Sequence, residues 1–468
     1  MLVRNPKGEY EAIDFREMAP KAASQDMFVA DPSKAQLGGL AVAFPGEVAG
    51  LFYAYRKYKK YRKDGPSWKQ LVEPSIDLAR TGFMVSEKLS KSIEAVRDSM
   101  KNYDALLKQY SIDGRLVKTG DFIKRHKLAD TLEIIANDPE AEMEVSEPQP
   151  GKPASFYTGR IADSLVKSIK ASGGIITNED FESYSAKSRK PIEGKYRGFR
   201  VVTFGPPASG SVLLYMLNML SNFKLESIFN ALDAHRIIET MKFGYGARMQ
   251  LGDADHVRGM DKVIKEMIDP DNIDAKMIDD ERTYSETNHY TKFLQKMNEK
   301  GTTHMSIMDK YGMVVSLTGS VNLIFGSMVI DPDTGIILND TMDDFSIPGK
   351  QNFFGIAPSE SNYVASFKRP VSSAVPICLE KDNVPRIVSG GAGGSRITSA
   401  TLLSIINMVD FAMTPEAAIQ APRLHHQLVP NVVSIENSFS VGLERRLKEK
   451  GHKFERPLNA EYRSAIQL

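Results

Sequence analysis

Apolar positions recur at helical spacing in the first part of this chain and at strand spacing in the last third. Val48, Leu51, Phe52 and Tyr55 follow the i, i+3, i+4, i+7 pattern of one helix face, inside a region, residues 37 to 100, that reads as helical. Ser67-Trp-Lys-Gln and Ser86-Glu-Lys-Leu offer helix starts, because a serine hydroxyl can accept from the free N–H groups of a first turn. Residues 120 to 136 and 155 to 172 predict further helices, separated by an acidic, proline-bearing loop from Asp138 to Pro153. Gly173-Gly174 ends the second of them with a residue free to turn left-handed. Arg200 to Phe204 predicts a strand that passes through Gly205-Pro-Pro-Ala-Ser-Gly210 into an apolar helix, Val212 to Leu220. That loop either cradles an anion at the helix start or is a packing turn.

After Lys300 alternation takes over. Ser306 to Asp309, a turn at Tyr311-Gly312 and Met313 to Thr318 predict a hairpin. Pro385 to Ser389 predicts a strand entering a glycine-rich loop, with a buried helix, Ile397 to Met413, behind it. Strands bracketed by long helices predict an α/β sandwich with an antiparallel core, and no internal repeat is visible.

A length of 468 residues suits one large α/β unit as well as several small domains. The formal net charge of +1 argues against a global field for nucleic acid or an anionic membrane. One basic and aromatic stretch, Arg56 to Lys63, is compatible with a phosphate-binding patch or with a solvated helix end whose tyrosine rings are buried, and the second reading is preferred. Cys378 stands alone, which excludes an intrachain disulfide framework. No run of eighteen apolar residues is present, and Met1-Leu-Val-Arg-Asn-Pro lacks the apolar centre of a signal peptide.

Chemistry enters at Gly301-Thr-Thr-His304, which heads a strand-like run after a polar stretch, Thr283 to Lys300, read as an exposed linker. The layout fits a chain that cuts itself before a threonine, so that one residue supplies both nucleophile and base. A threonine hydroxyl is inert near neutral pH, but an α-amine with a reference pKa of about 7.7 to 8.0 can take its proton. A glycine before the threonine tolerates the strained backbone that an N-to-O acyl shift requires. His304 is a poorer base, since two residues of strand span roughly 6.5 Å. The tetrapeptide by itself is also an ordinary strand start.

The segment from Thr302 to Ser327 resembles the start of the small subunit of γ-glutamyltransferases, also called glutathione hydrolases. Asn339 to Ser346, Lys368 to Ser373, Gly390 to Arg396 and Ala421 to Gln427 are similar to later segments of that family in the same order. Asp14 to Pro20, Gly39 to Gly50 and the stretch from Tyr196 resemble its large subunit. The resemblance covers essentially the whole chain and implies a four-layer αββα sandwich of the N-terminal nucleophile hydrolase type. It also implies a large-subunit portion, 1–301, and a small-subunit portion, 302–468, together one catalytic unit without a cofactor. Both ends look shortened relative to the family, which is typically secreted or membrane-anchored with an extracellular or vacuolar catalytic domain.

By the same resemblance, Thr302 attacks the γ-carbonyl of glutathione and other γ-glutamyl compounds, and the acyl group passes to water or to an amino acid or dipeptide acceptor. Ser320 takes the place of a threonine that hydrogen-bonds the nucleophile, and Gly393 and Gly394 supply backbone donors to the oxyanion. Arg16 takes the substrate α-carboxylate and Asp344 its α-ammonium, while Asn322, Ser372 and Ser373 complete the polar lining. Thr341 stands where relatives usually carry Glu or Gln, so a contact on the ammonium side is shortened or water-mediated. Phe353-Phe354 replace a lid tyrosine. Asn339-Asp-Thr341 matches a glycosylation sequon inside the expected pocket, where a glycan hardly fits. His425-His426 with Asp343-Asp344 could be drawn as a metal set, but adjacent strand residues point to opposite faces, and no metal is expected. The alternatives are a related acylase or poly-γ-glutamate transferase, and an inactive, unprocessed fragment.

Overall fold

Neighbouring strand residues are sent to different surroundings, and that sorting builds the layers. The computed structural model describes residues 1–61, 64–143, 151–294, 301–349, 357–456 and 464–468. The strands that carry the architecture are β1 (Leu2–Arg4), β2 (Tyr10–Asp14), β3 (Lys187–Arg189), β4 (Ile192–Tyr196), β5 (Phe199–Thr203), β6 (Thr302–Met308), β7 (Val314–Ser320), β8 (Ile377–Lys381), β9 (Val384–Ala392) and β10 (Ala465–Gln467). They form two five-stranded sheets, ordered β6-β7-β1-β2-β3 and β10-β9-β8-β5-β4. Every pairing within them is antiparallel. Each sheet therefore joins a block of strands from before residue 301 to a block from after it.

Leu2 and Val314 of one sheet meet Val202, Cys378 and Val388 of the other in a small apolar cluster between the sheets. Val3, Ile13 and Leu317 point the opposite way, into a core shared with α1 (Glu47–Tyr58) and α2 (Arg160–Ala171). On the far side, Val201, Ile377 and Leu379 pack against α3 (Gly210–Ser221), α4 (Ala231–Arg248) and α5 (Arg396–Val409). The order helices, sheet, sheet, helices is the four-layer sandwich that the sequence implied. Among the described residues no helix is long and apolar enough to cross a membrane.

Local signals locate most of the predicted elements. Ser67 caps the helix Trp68–Thr81 in a capping box with Gln70, and Ser86 caps the helix Glu87–Ala95. In α1 the buried stripe is Ala49, Phe52 and Tyr53, with Val48, Leu51 and Tyr55 on its flank, one position from the predicted centre. Three helix predictions were too long, the one from Ile397 ending at Val409 rather than Met413. The helix predicted from residue 120 begins at His126, because Phe122–Ile123 pairs with Phe83–Met84 as a short strand. The one predicted from 155 is broken at Gly159, whose φ of +67° no helix accommodates.

The loop at 205–210 is a packing turn: a Cβ on Gly210 would fall 2.3 Å from the carbonyl oxygen of Phe204. The basic stretch is spent internally through Tyr61. Lys57 and Tyr58 both bond Glu11, and Lys59 lies 3.5 Å from Glu142. The stretch read as an exposed linker is anchored in its first half. Thr283 and Tyr290 both donate to Glu239, and Tyr290 is buried, an outcome hidden in a segment whose composition is mostly polar. Residues 295–300 and the Phe353-Phe354 pair lie outside the described residues.

The seam between the sheets is partly polar and tightly closed. His304 is buried there, its Nδ1 2.7 Å from Thr318 Oγ1 and its Nε2 3.2 Å from Ser306 Oγ. Gly390 of β9 lies against the imidazole, and a Cβ on it would sit 2.1 Å from the ring. Gly390→Ala should therefore overpack the seam and destabilise the fold by roughly 1–3 kcal/mol, read as a lower urea midpoint at unchanged slope.

Candidate active site

The first residue of β6 faces the last residue of β7, because the ladder register pairs Thr302 with Ser320. Their hydroxyl oxygens lie 2.9 Å apart. His304 shares this face but is taken up by Thr318, and burial lowers its pKa to about 4, so it is a neutral ring at working pH. Thr302 and Ser320 open into a cleft of roughly 630 Å³, open solvent included, whose wall also carries Arg16, Glu17, Glu47 and Ser372.

Arg16 is placed by the turn that follows β2. Its backbone N–H donates to Asp14 at 3.0 Å, and its carbonyl accepts from the Arg369 guanidinium at 3.1 Å. Asp14 is buried, which works against its charge, yet Arg369 and Arg189 hold its carboxyl below the usual range. The Arg16 side chain forms an ion pair with Asp344 and approaches Glu17 at 3.4 Å. Burial lifts the Glu17 carboxyl above its ordinary range despite that guanidinium. A cleft that joins a hydroxyl pair to a guanidinium and a carboxylate can position an α-amino acid beside a nucleophile.

The family described as gamma-glutamyltranspeptidase matches residues 1–467. The chain belongs to this family. It is 42% identical over 452 residues to the glutathione hydrolase proenzyme of Arthroderma benhamiae, an alignment that covers 94% of this chain and 74% of that one. The crystal structure of Helicobacter pylori gamma-glutamyltranspeptidase is 30% identical, with a TM-score of 0.51 over 58% of this chain and 74% of that chain. The cephalosporin acylase of Bacillus halodurans superposes with a TM-score of 0.79 over 99% of this chain and 81% of its own, at 23% identity, a likeness of fold alone.

Within this gamma-glutamyltranspeptidase chain the remaining expected residues take distinct places. Asn322 is fully buried beside the hydroxyl pair, its N–H donating to Ser320 Oγ at 3.0 Å. Ser372 lines the cleft and accepts from the Ala374 N–H, whereas Ser373 stands behind it, 3.2 Å from the Arg248 guanidinium. Thr341 is fully buried, its N–H donating to Asn339 Oδ1 at 3.0 Å, and it does not reach the cleft wall. Gly393 and Gly394, with φ of +130° and +64°, form the turn from β9 into α5 and are not among the residues lining the cleft. The sequon asparagine is sealed, since Asn339 exchanges two hydrogen bonds with the backbone of Ala43.

His425 and His426 go to separate partners, Ser399 and Asn431. The described residues hold a different histidine group, His235, Glu239 and His452, with ligand atoms within 4.8 Å of one another. Its carboxylate is already matched by Thr283, Tyr290 and the Lys242 ammonium, and the two imidazoles bond each other at 2.7 Å, so it is a satisfied polar network.

Sequence reasoning passed over Glu17, Glu47 and Asp340. The first two lie inside the large-subunit segments quoted above, where a carboxylate beside arginine or at a helix start has an ordinary structural explanation. Asp340 is fully buried, and its Oδ1 accepts from the Leu323 N–H at 2.9 Å. Burial raises its pKa to about 8. The folded protein thus holds this proton more tightly than the unfolded chain, and stability should fall as pH rises from the unfolded value towards pH 8. Asp340→Asn, which keeps the acceptor without the titration, should show a smaller loss between pH 5 and pH 8 in urea unfolding. An equal loss in both proteins would remove Asp340 as its source.

Proposed function

We propose that this protein is a γ-glutamyltransferase and glutathione hydrolase whose chain is cut between Gly301 and Thr302. The 2.9 Å contact between Thr302 and Ser320 in a cleft shared with Arg16 carries the reading. The freed α-amine takes the hydroxyl proton, and Thr302 Oγ1 attacks the γ-carbonyl of glutathione or another γ-glutamyl compound. Ser320 holds the nucleophile in line. The oxyanion is received by the amides of Gly393 and Gly394 in the turn that leads into α5. Collapse expels the amine with the proton from the terminal ammonium, leaving a γ-glutamyl ester. Water hydrolyses that ester, or an amino acid or dipeptide takes the acyl group.

Recognition follows from charge. Arg16 and Asp344 pair with each other, and a zwitterionic glutamyl end exchanges that pair for its own carboxylate and ammonium. Substrates lacking either charge leave one of these buried groups unmatched and are rejected. Asn322 and Ser372 complete the site through neutral hydrogen bonds, Thr341 and Ser373 support it from behind the cleft wall, and the portions 1–301 and 302–468 remain together as one unit. No cofactor takes part.

Intact mass should give fragments Met1–Gly301 and Thr302–Leu468, and the product should hydrolyse γ-glutamyl-p-nitroanilide. An intact chain would favour the inactive reading, and a cut chain that ignores this substrate but hydrolyses another acyl amide would favour an acylase. Thr302→Ala should abolish both cleavage and turnover; normal turnover would refute the assignment. Arg16→Lys replaces a planar fork with a point charge and should raise KM on the order of ten- to a hundredfold, about the worth of one charge-assisted hydrogen bond. An unchanged KM would remove Arg16 from the site.

A further inference from the structure

The ladder between β6 and β7 is regular from Met308–Val314 to Thr302–Ser320 and breaks at the next residue. There two residues face one. Val321 N–H donates to the Gly301 carbonyl at 2.9 Å, and Gly301 N–H donates to the Asn322 carbonyl. Asn322 adopts a φ of +71°, in the left-handed region. The turn is pressed onto Gly301 so closely that a Cβ there would fall 2.3 Å from the Leu323 carbonyl oxygen. Asp340 holds the turn from behind. Its Oδ1 accepts from the Leu323 N–H at 2.9 Å, and its backbone carbonyl accepts from the Asn322 side chain at 3.1 Å.

Hydrogen-bond valence then orients Ser320. Its oxygen accepts from the Asn322 N–H at 3.0 Å and lies 3.3 Å from the Gly301 carbonyl oxygen, which can only accept. The single serine proton therefore points at Gly301. Its remaining lone pair takes the Thr302 hydroxyl proton, so Thr302 is the donor across the 2.9 Å contact. The Gly301 carbonyl oxygen consequently sits between two donors, one a backbone amide, beside the hydroxyl that would attack its carbon. Irregular pairing of this kind commonly re-aims groups next to reacting centres.

We propose that Val321 N–H and Ser320 Oγ–H form an oxyanion site for chain cleavage, separate from the Gly393–Gly394 loop assigned to turnover, and that Asp340 is its positioning residue. The proposal deepens the reading of Thr302 as nucleophile and rests on it. Thr302 Oγ1 forms a bond to the carbonyl carbon of Gly301, and the π electrons move onto the oxygen held by Val321 and Ser320. The proton lost from Thr302 passes to its own nitrogen as the C–N bond breaks, leaving an ester. Water then hydrolyses the ester, releasing the Gly301 carboxylate, the Thr302 hydroxyl and a free α-amine.

The decisive variant places the α-hydroxy analogue of valine at position 321 by codon suppression, replacing one N–H with an ester oxygen. Cleavage, followed as intact mass against time, should slow on the order of ten- to a hundredfold, the usual effect of losing one oxyanion donor or somewhat less. The chains that have been cut should keep kcat and KM within about twofold, because turnover uses other donors. Wild-type cleavage speed, or a turnover loss as large as the cleavage loss, overturns the proposal. Gly301→Ala leaves every residue of the fragment 302–468 unchanged and should block cleavage; normal processing in it is equally fatal. For the positioning residue, Asp340→Ala should slow cleavage while Asp340→Asn, which retains the acceptor for Leu323, restores it; equal slowing in both contradicts the assigned part. A wild-type chain that is not cut before Thr302 would instead defeat the nucleophile assignment itself, so the two failures are distinguishable.

Discussion

The pairing of the strand Thr302–Met308 with Val314–Ser320 is the constraint on which the site depends, because register in an antiparallel pair decides both partner and face. A slip of that strand by one residue would turn Thr302 towards the helical layer and take His304 out of the seam, away from Thr318. The seam resists such a slip through specific contacts: His304 bonded to Thr318, Ser316 bonded to the Ser389 carbonyl, and Gly390 leaving room for the imidazole. Packing between the sheets thus does at one end of the strand what no local feature of a threonine could do. It makes the hydroxyl pair a fixed element rather than a surface encounter.

The charged half of the site is built by a different means. Arg16 is irregular backbone, and its position comes from an ion-pair network in which the buried Asp14 pairs with Arg189 and Arg369, and Arg189 pairs in turn with Asp255. Buried charges of this kind add little net stability, but breaking the set would leave an unmatched charge, so the geometry is strongly determined. The residue whose guanidinium reaches the cleft is thus held through its carbonyl by Arg369 and through its N–H by Asp14.

How much of this could be read from residues alone depends on what each feature rests on. Helix starts at Ser67 and Ser86 were legible because capping is a local matter, and the hairpin after Thr302 because alternation is. The late start of the helix at His126 was not, since it depends on Phe122–Ile123 meeting Phe83–Met84, a contact between segments far apart in sequence. Arg16 and Thr302, which the fold brings to one cleft, were picked out through whole motifs, not through any single residue. Asp340 was invisible for a related reason: an aspartate in a polar run shortly before Asp343 and Asp344 looks solvated until burial and the Leu323 amide are known. Thr341 was expected at the pocket wall and instead lies under it, held by Asn339.

The sheet orders carry one more consequence. Three strands before residue 301 and two after it share the first sheet, and two before and three after share the second. A backbone break at that point would alter the covalent connectivity without interrupting any strand of either sheet. Pulling the two portions apart would strip open two sheet edges at once, which opposes dissociation after a break there. Conversely, neither side of residue 301 holds a complete sheet of its own.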